Sequence, residues 1–511
     1  MNNKKTFYVT TPIYYPSGEL HIGHAYTTTL ADILNRYKKN DGYETFFLTG
    51  SDEHGEKIEI KSAEMGLPPL QFLEEKVNKF KELWKALGIH YSKFIRTTDK
   101  YHEDAVKRIF TKLLEQGDIY KGFYEGKYCI SCEEFLTTEQ IDENGFCKIS
   151  HTLPTDVKEE TYFLKTSAYQ EFITDLLNSN FIIPDYRKNE MLKNFVEPGL
   201  KDLSVTRISF KWGIPITEDP KHVIYVWLDA LTNYITALGY MQKNHELFDK
   251  FWSEDTEIVQ LVGKEITRFH SIYWPIILKM LDLRIPNKLV SHGWILSNND
   301  KMSKSLGNVV NPMDYIEEFG ADGLRFYIAN ELPIDKDGNF SREMFIESYN
   351  AYLANNIGNL ISRVNNMITK YFDGHLGDDL SVSDEFIDSK ISQLIDDYKA
   401  NMDKYDIYTA TRKIVEFSAI CNKYIEDKEP WNLDKENKTE ELRTVLMSLQ
   451  KAITVISFLL KPILVFTYDD MIEQTGIKDP ENLTYGALKT FDNLSFNKLG
   501  DKKVLFQRIK K

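Results

Sequence analysis

The first fifty residues alternate between apolar runs and a segment with helical spacing. The run KTFYVTTPIYY at residues 5–15 predicts a buried strand that enters a proline-containing loop, and TFFLTG predicts a second strand. Between them, Leu30, Ile33, Leu34 and Tyr37 follow helical spacing. A strand, a loop, a helix and a strand in this order favour a parallel α/β unit, whose ligands bind at the carboxyl ends of the strands.

The rest of the chain interrupts this pattern once and then becomes helical. Residues 1–115 and 222–345 carry the α/β pattern, because VIYVWLDAL, EIVQLVGK and KLVSHGWIL resemble strands. Residues 116–221 contain short aromatic and charged runs with recurring glycine and proline, which predict an inserted module. Residues 346–511 consist of long amphipathic segments and predict a helical bundle.

Composition limits the class of protein. A chain of 511 residues predicts more than one domain, and four cysteines are too few for a disulfide scaffold. The N-terminus lacks an apolar run of signal-peptide length, and stretches such as VISFLLKPILVF are too short to span a bilayer. The net charge of −14 means that any RNA partner needs a local basic face. We therefore expect a soluble, cytoplasmic protein that does not enter a membrane.

The sequence HIGH places two histidines, His21 and His24, at the start of the first predicted helix. A helix N-terminus presents unpaired N–H groups and a positive dipole, and the two imidazoles could donate hydrogen bonds to a phosphate in a transition state. Considered alone, a histidine pair at this position is more often structural or metal-bound than phosphate-binding.

A second motif, KMSKS, begins at Lys301 inside the polar stretch SNNDKMSKSLGN. This composition predicts a mobile surface loop, on which Lys301 and Lys304 could close over a polyphosphate. The alternative is a loop of solvated lysines.

Other nucleotide-binding motifs are excluded by the sequence. GxGxxG does not occur, and the glycines at Gly50 and Gly55 are followed by Glu56-Lys57 where a P-loop needs lysine and a hydroxyl residue. The stretch GSDEHGEK is better interpreted as a crevice loop in which Asp52 can bind an ammonium group. An exposed acidic turn is the alternative.

HIGH and KMSKS in this order on a split α/β pattern resemble the class I aminoacyl-tRNA synthetases. Within that class the chain is similar to the methionyl-tRNA synthetase family from end to end, in TTPIYYPSGELHIGHAYTTTLADILNRY, GSDEHGEKI, YVWLDALTNYI, GKEITRFHSIYWP, HGWILSNNDKMSKSLGN and GNLISRV. The resemblance implies a Rossmann-like catalytic domain in two halves, residues 1–115 and 222–345. The halves would be split by a connective insertion at 116–221 with a zinc knuckle and followed by an α-helical anticodon-binding bundle at 346–511.

The resemblance implies that the two motifs bind one ATP, accompanied by Mg²⁺. The catalytic residues would be His21 and His24 for the phosphates, and Lys304 with Lys301 for the developing pyrophosphate. The backbone of residues 293–295 would contact adenine. The implied ATP contacts are His21, Gly23, His24, Gly293, Trp294, Ile295 and Lys304.

The resemblance also implies a methionine pocket, in which Asp52 holds the substrate ammonium. Aromatic edges suit the soft sulfur of methionine. For each aromatic residue the alternative is ordinary core packing, and Leu231 stands where other members often have proline. The implied pocket residues are Ile13, Tyr15, Asp52, Trp227, Ala230, Leu231, Tyr234, Ile266, His270 and Trp274.

The insertion contains Cys129-x-x-Cys132 and Cys147-x-x-x-His151, which resemble one structural zinc knuckle. The family commonly has a second CxxC, so His151 would replace a cysteine; the alternative is a decayed knuckle. With about a hundred residues, the insertion is too small for a large hydrolytic editing domain. Selection of the amino acid is therefore expected in the synthetic pocket.

In the helical region, GNLISRV places Asn359 and Arg363 four residues apart, and Trp431 follows Pro430. By resemblance these three side chains contact the anticodon of tRNA(Met); otherwise they would be a solvated face and a core residue. An oligonucleotide-binding fold is not visible after the bundle, so we expect a monomer.

The expected activity is activation of L-methionine with ATP, followed by transfer to tRNA(Met). A cysteinyl or branched-chain synthetase, a nucleotidyltransferase without tRNA and a non-catalytic RNA-binding relic are the competing hypotheses. The aromatic WLDAL and FHSIYW stretches argue against the first of them. The helical C-terminus argues against the second, and the intact HIGH and KMSKS motifs argue against the third.

Overall fold

The computed structural model describes residues 4–16, 18, 20–131, 134–136, 140–302, 308–500 and 502–510. The chain divides into two compact units. The first unit contains the ranges Met1–Leu20, Glu44–Glu82 and His90–His292, and the second contains His21–Tyr43, Leu83–Ile89 and Gly293–Lys511.

The strands of the described residues are numbered in chain order. They are β1 (Thr6–Tyr14), β2 (Glu44–Ser51), β3 (Lys93–Arg96), β4 (Ile119–Cys129), β5 (Glu134–Phe135), β6 (Thr155–Leu164), β7 (Ile182–Ile183), β8 (Leu203–Ser204), β9 (Thr206–Arg207), β10 (Ile214–Pro215), β11 (Val223–Ile224), β12 (Thr256–Gly263), β13 (Lys288–His292), β14 (Ile295–Ser297), β15 (Asp300–Lys301) and β16 (Gly338–Phe340).

The α-helices of the described residues are numbered in the same way. They are α1 (Ile22–Asn40), α2 (Glu56–Glu64), α3 (Pro69–Ala86), α4 (Lys100–Glu115), α5 (Gln170–Asn178), α6 (Arg187–Met191), α7 (Val226–Thr236), α8 (Glu246–Phe251), α9 (Trp274–Met280), α10 (Pro312–Phe319), α11 (Ala321–Glu331), α12 (Arg342–Ser348), α13 (Asn359–Phe372), α14 (Glu385–Met402), α15 (Ile407–Lys428), α16 (Pro430–Lys435), α17 (Thr439–Leu460), α18 (Tyr468–Glu473) and α19 (Ala487–Thr490).

A parallel six-stranded sheet is the centre of the first unit. Its strand order is β3-β2-β1-β12-β13-β7, so β1 lies between β2 and β12. Central strands of such sheets are covered on both faces, which explains why Phe7, Tyr8 and Val9 are all fully buried. The pairing of β1 with β2 shifts register between Thr10 and Ile13. Pro12 lies at this shift, and proline cannot donate a ladder hydrogen bond. The irregularity therefore allows the strand to continue past Pro12.

Two of the predicted strands differ from the structure. VIYVWLDAL forms the short β11 and then the start of α7, because its residues Leu228 and Leu231, together with Ile235 further along, have helical spacing despite the strand-like composition. KLVSHGWIL is broken at Gly293, where a Cβ atom would lie 2.3 Å from the carbonyl oxygen of Lys336. The predicted strand EIVQLVGK is confirmed as β12.

The insertion is built on two long antiparallel strands. Strands β4 and β6 pair from Ile119–Leu164 to Tyr128–Thr155 and belong to a four-stranded sheet of order β5-β4-β6-β8. A second small sheet has the order β10-β11-β9. The change of texture in the sequence at this segment therefore corresponds to antiparallel sheets, except at β7, which pairs parallel with β13 in the central sheet.

The second unit contains α1, a small sheet of order β15-β14-β16 and the helices from α10 onward. A fully buried ion pair joins α1 to α11, with Arg325 2.7 Å from Asp32. The same guanidinium donates to the backbone carbonyls of Leu87, Pro462 and Ile463. A buried charge is tolerated when it is paired and its hydrogen bonds are satisfied, so this arginine holds α1 firmly within its unit.

One helix of the described residues, α17, is long and apolar enough to cross a membrane, and 89% of its apolar window is buried inside the protein. Complete burial is typical of the central helix of a bundle.

Candidate active site

Asp52 lies in the loop that follows β2, at the carboxyl edge of the parallel sheet. The side chain is 7% exposed, and its backbone amide donates to the carbonyl of Tyr14 at 2.9 Å. Burial raises the pKa of Tyr234, and the charges of Tyr14 and Asp52 add to this effect. Asp52 is therefore close enough to Tyr234 for its charge to act on that side chain.

Helix α7 carries four predicted pocket residues at spacings of three and four: Trp227, Ala230, Leu231 and Tyr234. Residues at such spacings share one face of a helix. Leu231 and Tyr234 are each 1% exposed. The burial of this face agrees with an apolar wall.

The second wall comes from the segment around His270. A π-helical turn, Phe269–Tyr273, carries His270 and leads directly into α9, which begins at Trp274. The hydroxyl of Tyr234 lies 2.7 Å from Nε2 of His270, and the rings of Tyr234 and Trp274 are 5.8 Å apart. The structure thus brings together residues from two motifs that are separated by forty positions in the sequence.

The protonation of His270 follows from its partners. Its Nδ1 lies 3.0 Å from the carbonyl oxygen of Ile266, which can only accept, so Nδ1 carries the proton. Nε2 is then an acceptor, and the hydroxyl of Tyr234 donates to it. Burial lowers the pKa of His270 to about 4, so the ring is neutral at physiological pH. A neutral and internally bonded polar pair suits an uncharged thioether and disfavours a charged side chain.

Two further aromatic residues, Phe269 and Trp252, lie in this region and were not predicted from the sequence. The rings of Trp227 and Phe269 stack with centroids 3.5 Å apart, and the rings of Trp252 and Trp274 meet edge to face at 6.2 Å. Phe269 stands next to His270 within FHSIYW, so the motif itself was the available signal. Trp252 precedes β12 and carried no such signal.

Ile13, Ile266 and Tyr15 differ in their surroundings. Ile13 and Ile266 pack against the main apolar cluster of the first unit, which contains Leu231, Tyr234 and Trp274. Tyr15 packs against a separate cluster of Ile58, Phe72 and Leu73. The structure therefore groups Tyr15 apart from the other predicted pocket residues.

The HIGH motif forms the N-terminal cap of α1. Nδ1 of His21 accepts from the amide of Gly23 at 3.1 Å, and Nδ1 of His24 accepts from the amide of His21 at 3.2 Å. Since both Nδ1 atoms accept, each neutral ring carries its proton on Nε2. Burial, with a smaller contribution from His21, lowers the pKa of His24 to about 3. His24 is therefore a neutral imidazole at physiological pH.

The first amides of α1 differ from the expectation of unpaired N–H groups. The amide of Ile22 donates to the carbonyl of Val310 at 3.0 Å, and that of His24 donates to the carbonyl of His21 at 2.9 Å. Together with the Gly23 bond, three amides are bonded within the protein. These backbone amides are therefore less available to a phosphate than the sequence predicted.

The segment predicted to contact adenine is itself hydrogen-bonded. The amide of Trp294 donates to Asp337 at 2.9 Å, and its carbonyl accepts from the amide of Gly338 at 2.8 Å. Ile295 pairs with Gly338 in the parallel ladder of β14 and β16. An adenine contact from the backbone of Trp294 would compete with these bonds.

The polar stretch that leads into KMSKS forms a tight hairpin at residues 296–301. Strands β14 and β15 are antiparallel and are joined by Asn298 and Asn299, both at positive φ. Asparagine tolerates this conformation, and such pairs are typical of two-residue hairpin turns. Lys301 belongs to β15 through its backbone, opposite Leu296. Lys304 lies outside the described residues.

The predicted anticodon residues lie at the surface of the helical region. Asn359 begins α13 and is exposed, whereas Arg363 is half-buried and forms an ion pair with Glu426. Glu426 lies near the end of α15, and Trp431, half-buried, lies in the next helix, α16. The ion pair therefore places α13 beside the end of the helix that leads into Trp431.

The predicted zinc ligands are brought together only in part. Cys129 and Cys147 are both buried in one small cluster with Leu136, and Cys132 lies outside the described residues. His151 is exposed with a positive φ of 57°. Among the described residues, Cys129, Cys147 and His151 do not bring their ligand atoms within 4.8 Å of one another. Cys129 and Cys147 thus share one buried cluster, but with His151 they do not form a three-ligand metal group in this conformation.

One group of three side chains does meet that distance in the described part of the chain: Glu160, Asp219 and His222. The ammonium of Lys121 lies 3.0 Å from Glu160 and 2.8 Å from Asp219. A second ammonium, that of Lys221, lies 2.6 Å from Glu160, so the two carboxylates are already paired with two lysines.

Comparison with known proteins agrees with these features. The family model described as tRNA synthetases class I (M) matches residues 7–145 and 143–365, and that of the anticodon-binding domain of tRNA ligase matches residues 384–505. The predicted class I catalytic domain and helical anticodon-binding domain are thus confirmed.

Similar proteins lead to the same family. The chain is 46% identical to a methionine–tRNA ligase of Clostridium tetani, over 99% of this chain and 79% of that protein. It is also 46% identical to the ligase of Ureaplasma parvum, over 100% and 99% of the two chains. The structure of Mycobacterium tuberculosis methionyl-tRNA synthetase in complex with methionyl-adenylate superimposes with a TM-score of 0.92 at 32% identity, and covers 99% of this chain and 100% of that chain. The chain therefore belongs to the methionyl-tRNA synthetase family of class I aminoacyl-tRNA synthetases.

Proposed function

We propose that this chain activates L-methionine with ATP to give methionyl-adenylate and pyrophosphate, and then transfers the methionyl group to the 3′ end of tRNA(Met) for initiation and elongation. The observation that carries this proposal is the buried, neutral pair of Tyr234 and His270 beside Trp274. A pocket with aromatic walls and no net charge fits the methionine side chain. Asp52, at the edge of the same sheet, supplies the negative charge that a substrate ammonium requires.

The first step is an in-line attack of the methionine carboxylate on the α-phosphate of ATP. Such chemistry depends on positioning and on neutralising charge more than on covalent help. We propose that the Nε2–H groups of His21 and His24 donate to the phosphates, with His24 acting as a neutral donor that keeps its proton. Lys304, together with Lys301, would stabilise the leaving pyrophosphate. ATP is expected to arrive with Mg²⁺, which would neutralise part of the phosphate charge.

Recognition of tRNA is proposed to involve Asn359, Arg363 and Trp431. Asparagine and arginine can hydrogen-bond base edges, and an exposed indole can stack on an unpaired base. The positions of these side chains at the protein surface support the proposal. Because the net charge is −14, tRNA affinity should depend on a local basic strip and fall with salt.

The metal, the oligomeric state and the location are further proposals. We propose that zinc is held by Cys129, Cys132 and Cys147, with His151 as a fourth ligand after a change in its loop, and that it stabilises the insertion. Metal analysis of freshly purified, unchelated protein should find about one zinc per chain. A protein without zinc would favour the decayed knuckle. We also expect a cytoplasmic monomer.

Exchange of labelled pyrophosphate into ATP, measured without tRNA for each of the twenty amino acids, tests the central proposal. We expect exchange with methionine alone. Exchange with a different amino acid would keep the class I chemistry but refute the pocket assignment. Absence of exchange with every amino acid would favour a non-catalytic relic or an enzyme that needs tRNA to assemble its site.

A further inference from the structure

A buried carboxylate in the first unit bonds two histidines at once. Oδ2 of Asp229 lies 2.7 Å from Nδ1 of His54, and Oδ1 lies 2.7 Å from Nε2 of His102. Asp229 and His102 are fully buried, and His54 is 3% exposed. Asp229 belongs to α7, His54 to the loop after β2 and His102 to α4, so one carboxylate joins three separate elements.

The hydrogen bonds of this group are satisfied in a charged form. Nδ1 of His102 lies 2.6 Å from the hydroxyl of Thr236, so a neutral His102 can accept there and donate to Asp229 from Nε2. Burial acts to lower the pKa of His54, but the charge and hydrogen bond of Asp229 raise it above its ordinary value. Burial acts to raise the pKa of Asp229, and the two histidines hold it below its ordinary value. A buried ion pair of this kind is costly unless its geometry is good, which favours a role beyond filling space.

The three elements matter because two of them carry the proposed methionine contacts. Helix α7 presents Trp227, Ala230, Leu231 and Tyr234 at the pocket, and Asp229 lies between them on a different side of the same helix. The loop after β2 carries Asp52 two residues before His54. The bond between His54 and Asp229 therefore connects the loop of the ammonium ligand to the helix of the side-chain pocket.

The loop is also held on its other flank. The carboxylate of Glu53 accepts from Arg96 at 2.8 Å and from Thr98 at 2.6 Å, and its carbonyl accepts from the indole of Trp212 at 2.6 Å. Glu53 and His54 thus anchor the loop to different neighbours on the side that follows Asp52. Among these hydrogen bonds, only the one between His54 and Asp229 joins the loop to α7.

We propose that His54, Asp229 and His102 are positioning residues for methionine activation: they hold Asp52 in register with the pocket face of α7, so that the ammonium and the side chain of methionine are bound together. The proposal rests on the proposed function, because the role of Asp52 is itself part of that function. The proposal predicts that substitutions of these three residues weaken binding of the substrate ammonium. Binding of the methionine side chain should be largely unchanged.

The test compares L-methionine with 4-methylthiobutanoate, in which hydrogen replaces the ammonium. For Asp229→Asn we expect the KM of methionine in pyrophosphate exchange to rise about tenfold, because the isosteric amide keeps the packing but not the charge pair. The inhibition constant of the analogue should change less than about twofold, because it has no ammonium to place. His222→Asn, a substitution of another buried histidine that bonds a carboxylate, is the matched control and should move neither value.

Variants of His54 give a second and milder test. His54→Asn keeps a donor near the position of Nδ1, whereas His54→Leu removes it, so the asparagine variant should retain more methionine affinity. In the double variant of Asp52→Asn and Asp229→Asn, the effects should not add, since both act on the same contact.

Failure of this proposal and failure of the proposed function are distinguishable. If Asp52→Asn raises the methionine KM while Asp229→Asn does not, the positioning group is refuted and the function stands. If Asp229→Asn weakens methionine and the analogue equally, the group is structural and the proposal is likewise refuted. If Asp52→Asn leaves methionine KM unchanged, the assignment of Asp52 fails, and this proposal fails with it.

Discussion

The proposed methionine pocket and the proposed anticodon surface use similar side chains in opposite environments. In the pocket, Trp274 is fully buried and Tyr234 is 1% exposed and hydrogen-bonded to His270. On the helical surface, Trp431 is half-buried and Asn359 is exposed. The indole of tryptophan is therefore fixed in the interior in one region and partly open to solvent in the other.

This difference reflects the size of the two ligands. An amino acid small enough to be surrounded is selected by groups that are placed and bonded before it arrives. An unstacked base of a large RNA must be reached from solvent, so its readers stay at the surface. Substitutions in the pocket should therefore affect adenylate formation, whereas substitutions on the surface should affect only the transfer to tRNA.

The largest expected effect comes from Tyr234→Phe, which tests the pocket half of this comparison. The variant leaves Nε2 of His270 as a buried acceptor without its donor, so the ring is no longer fixed against the pocket. We expect restoring its position around bound methionine to cost about 2 kcal/mol of binding free energy, or about thirtyfold in methionine KM. Pyrophosphate exchange measures the effect. Tyr398→Phe makes the same change at a buried tyrosine of α14 and should leave methionine KM unaltered. An equal rise of methionine KM in both variants would mean that the Tyr234 hydroxyl contributes only to the stability of the fold.

Acid should destabilise the pocket region through His270. Its pKa is about 4 in the folded protein and near 6.5 in the unfolded chain, so the unfolded state binds more protons between these values. Stability is therefore complete above pH 6.5 and is lost as the pH falls toward 4. Between pH 7 and pH 5 the loss from this group should be about 2 kcal/mol in the free energy of unfolding.

Urea unfolding of wild type and His270→Asn at the two pH values isolates this contribution. The difference in the free energy of unfolding between wild type and His270→Asn should be about 2 kcal/mol smaller at pH 5 than at pH 7. The exposed His245 offers the same substitution outside the core and should give no such change. Identical pH dependence of wild type and His270→Asn would show that His270 is not held neutral by burial.

On the helical surface, Trp431→Ala should weaken charging of tRNA(Met) about tenfold through loss of a stacking contact, while exchange of pyrophosphate is unchanged. Phe386→Ala removes another exposed aromatic ring of the same helices and is the matched control, with no expected effect on charging. An unchanged charging rate in Trp431→Ala would remove Trp431 from anticodon recognition. A parallel loss of exchange would contradict the separation of the two regions.

The parts of this architecture that could be predicted from sequence are those encoded locally. The strand–helix–strand start appears as β1, α1 and β2, because each element has its own periodicity. VIYVWLDAL was misinterpreted as a strand, since short aromatic and branched runs suit both structures. Before KMSKS, the polar composition indicated a loop but not the hairpin turn, which depends on the positive φ of Asn298 and Asn299.

The contacts that could not be predicted are those between distant positions. His54 and Asp229 are 175 residues apart, and His102 and Asp229 are 127 apart. His54 and Asp229 lie within the stretches GSDEHGEKI and YVWLDALTNYI, whereas His102 lies outside every motif. The motifs do not show that these three side chains meet, and only the fold brings them to one point.

The smallest expected effect concerns the ion pair of Arg363 and Glu426. An exposed pair of this kind contributes little, about 0.5 kcal/mol, and Arg363 must leave it to bond a base. Glu426→Gln should therefore raise the affinity for tRNA(Met) about twofold at low salt, since it also removes a negative charge that repels phosphate. Glu416→Gln, an exposed change on the same helix, controls for charge alone. Weaker binding by Glu426→Gln would instead show that Glu426 holds Arg363 in its binding position, and this part of the surface would then be preorganised as the pocket is.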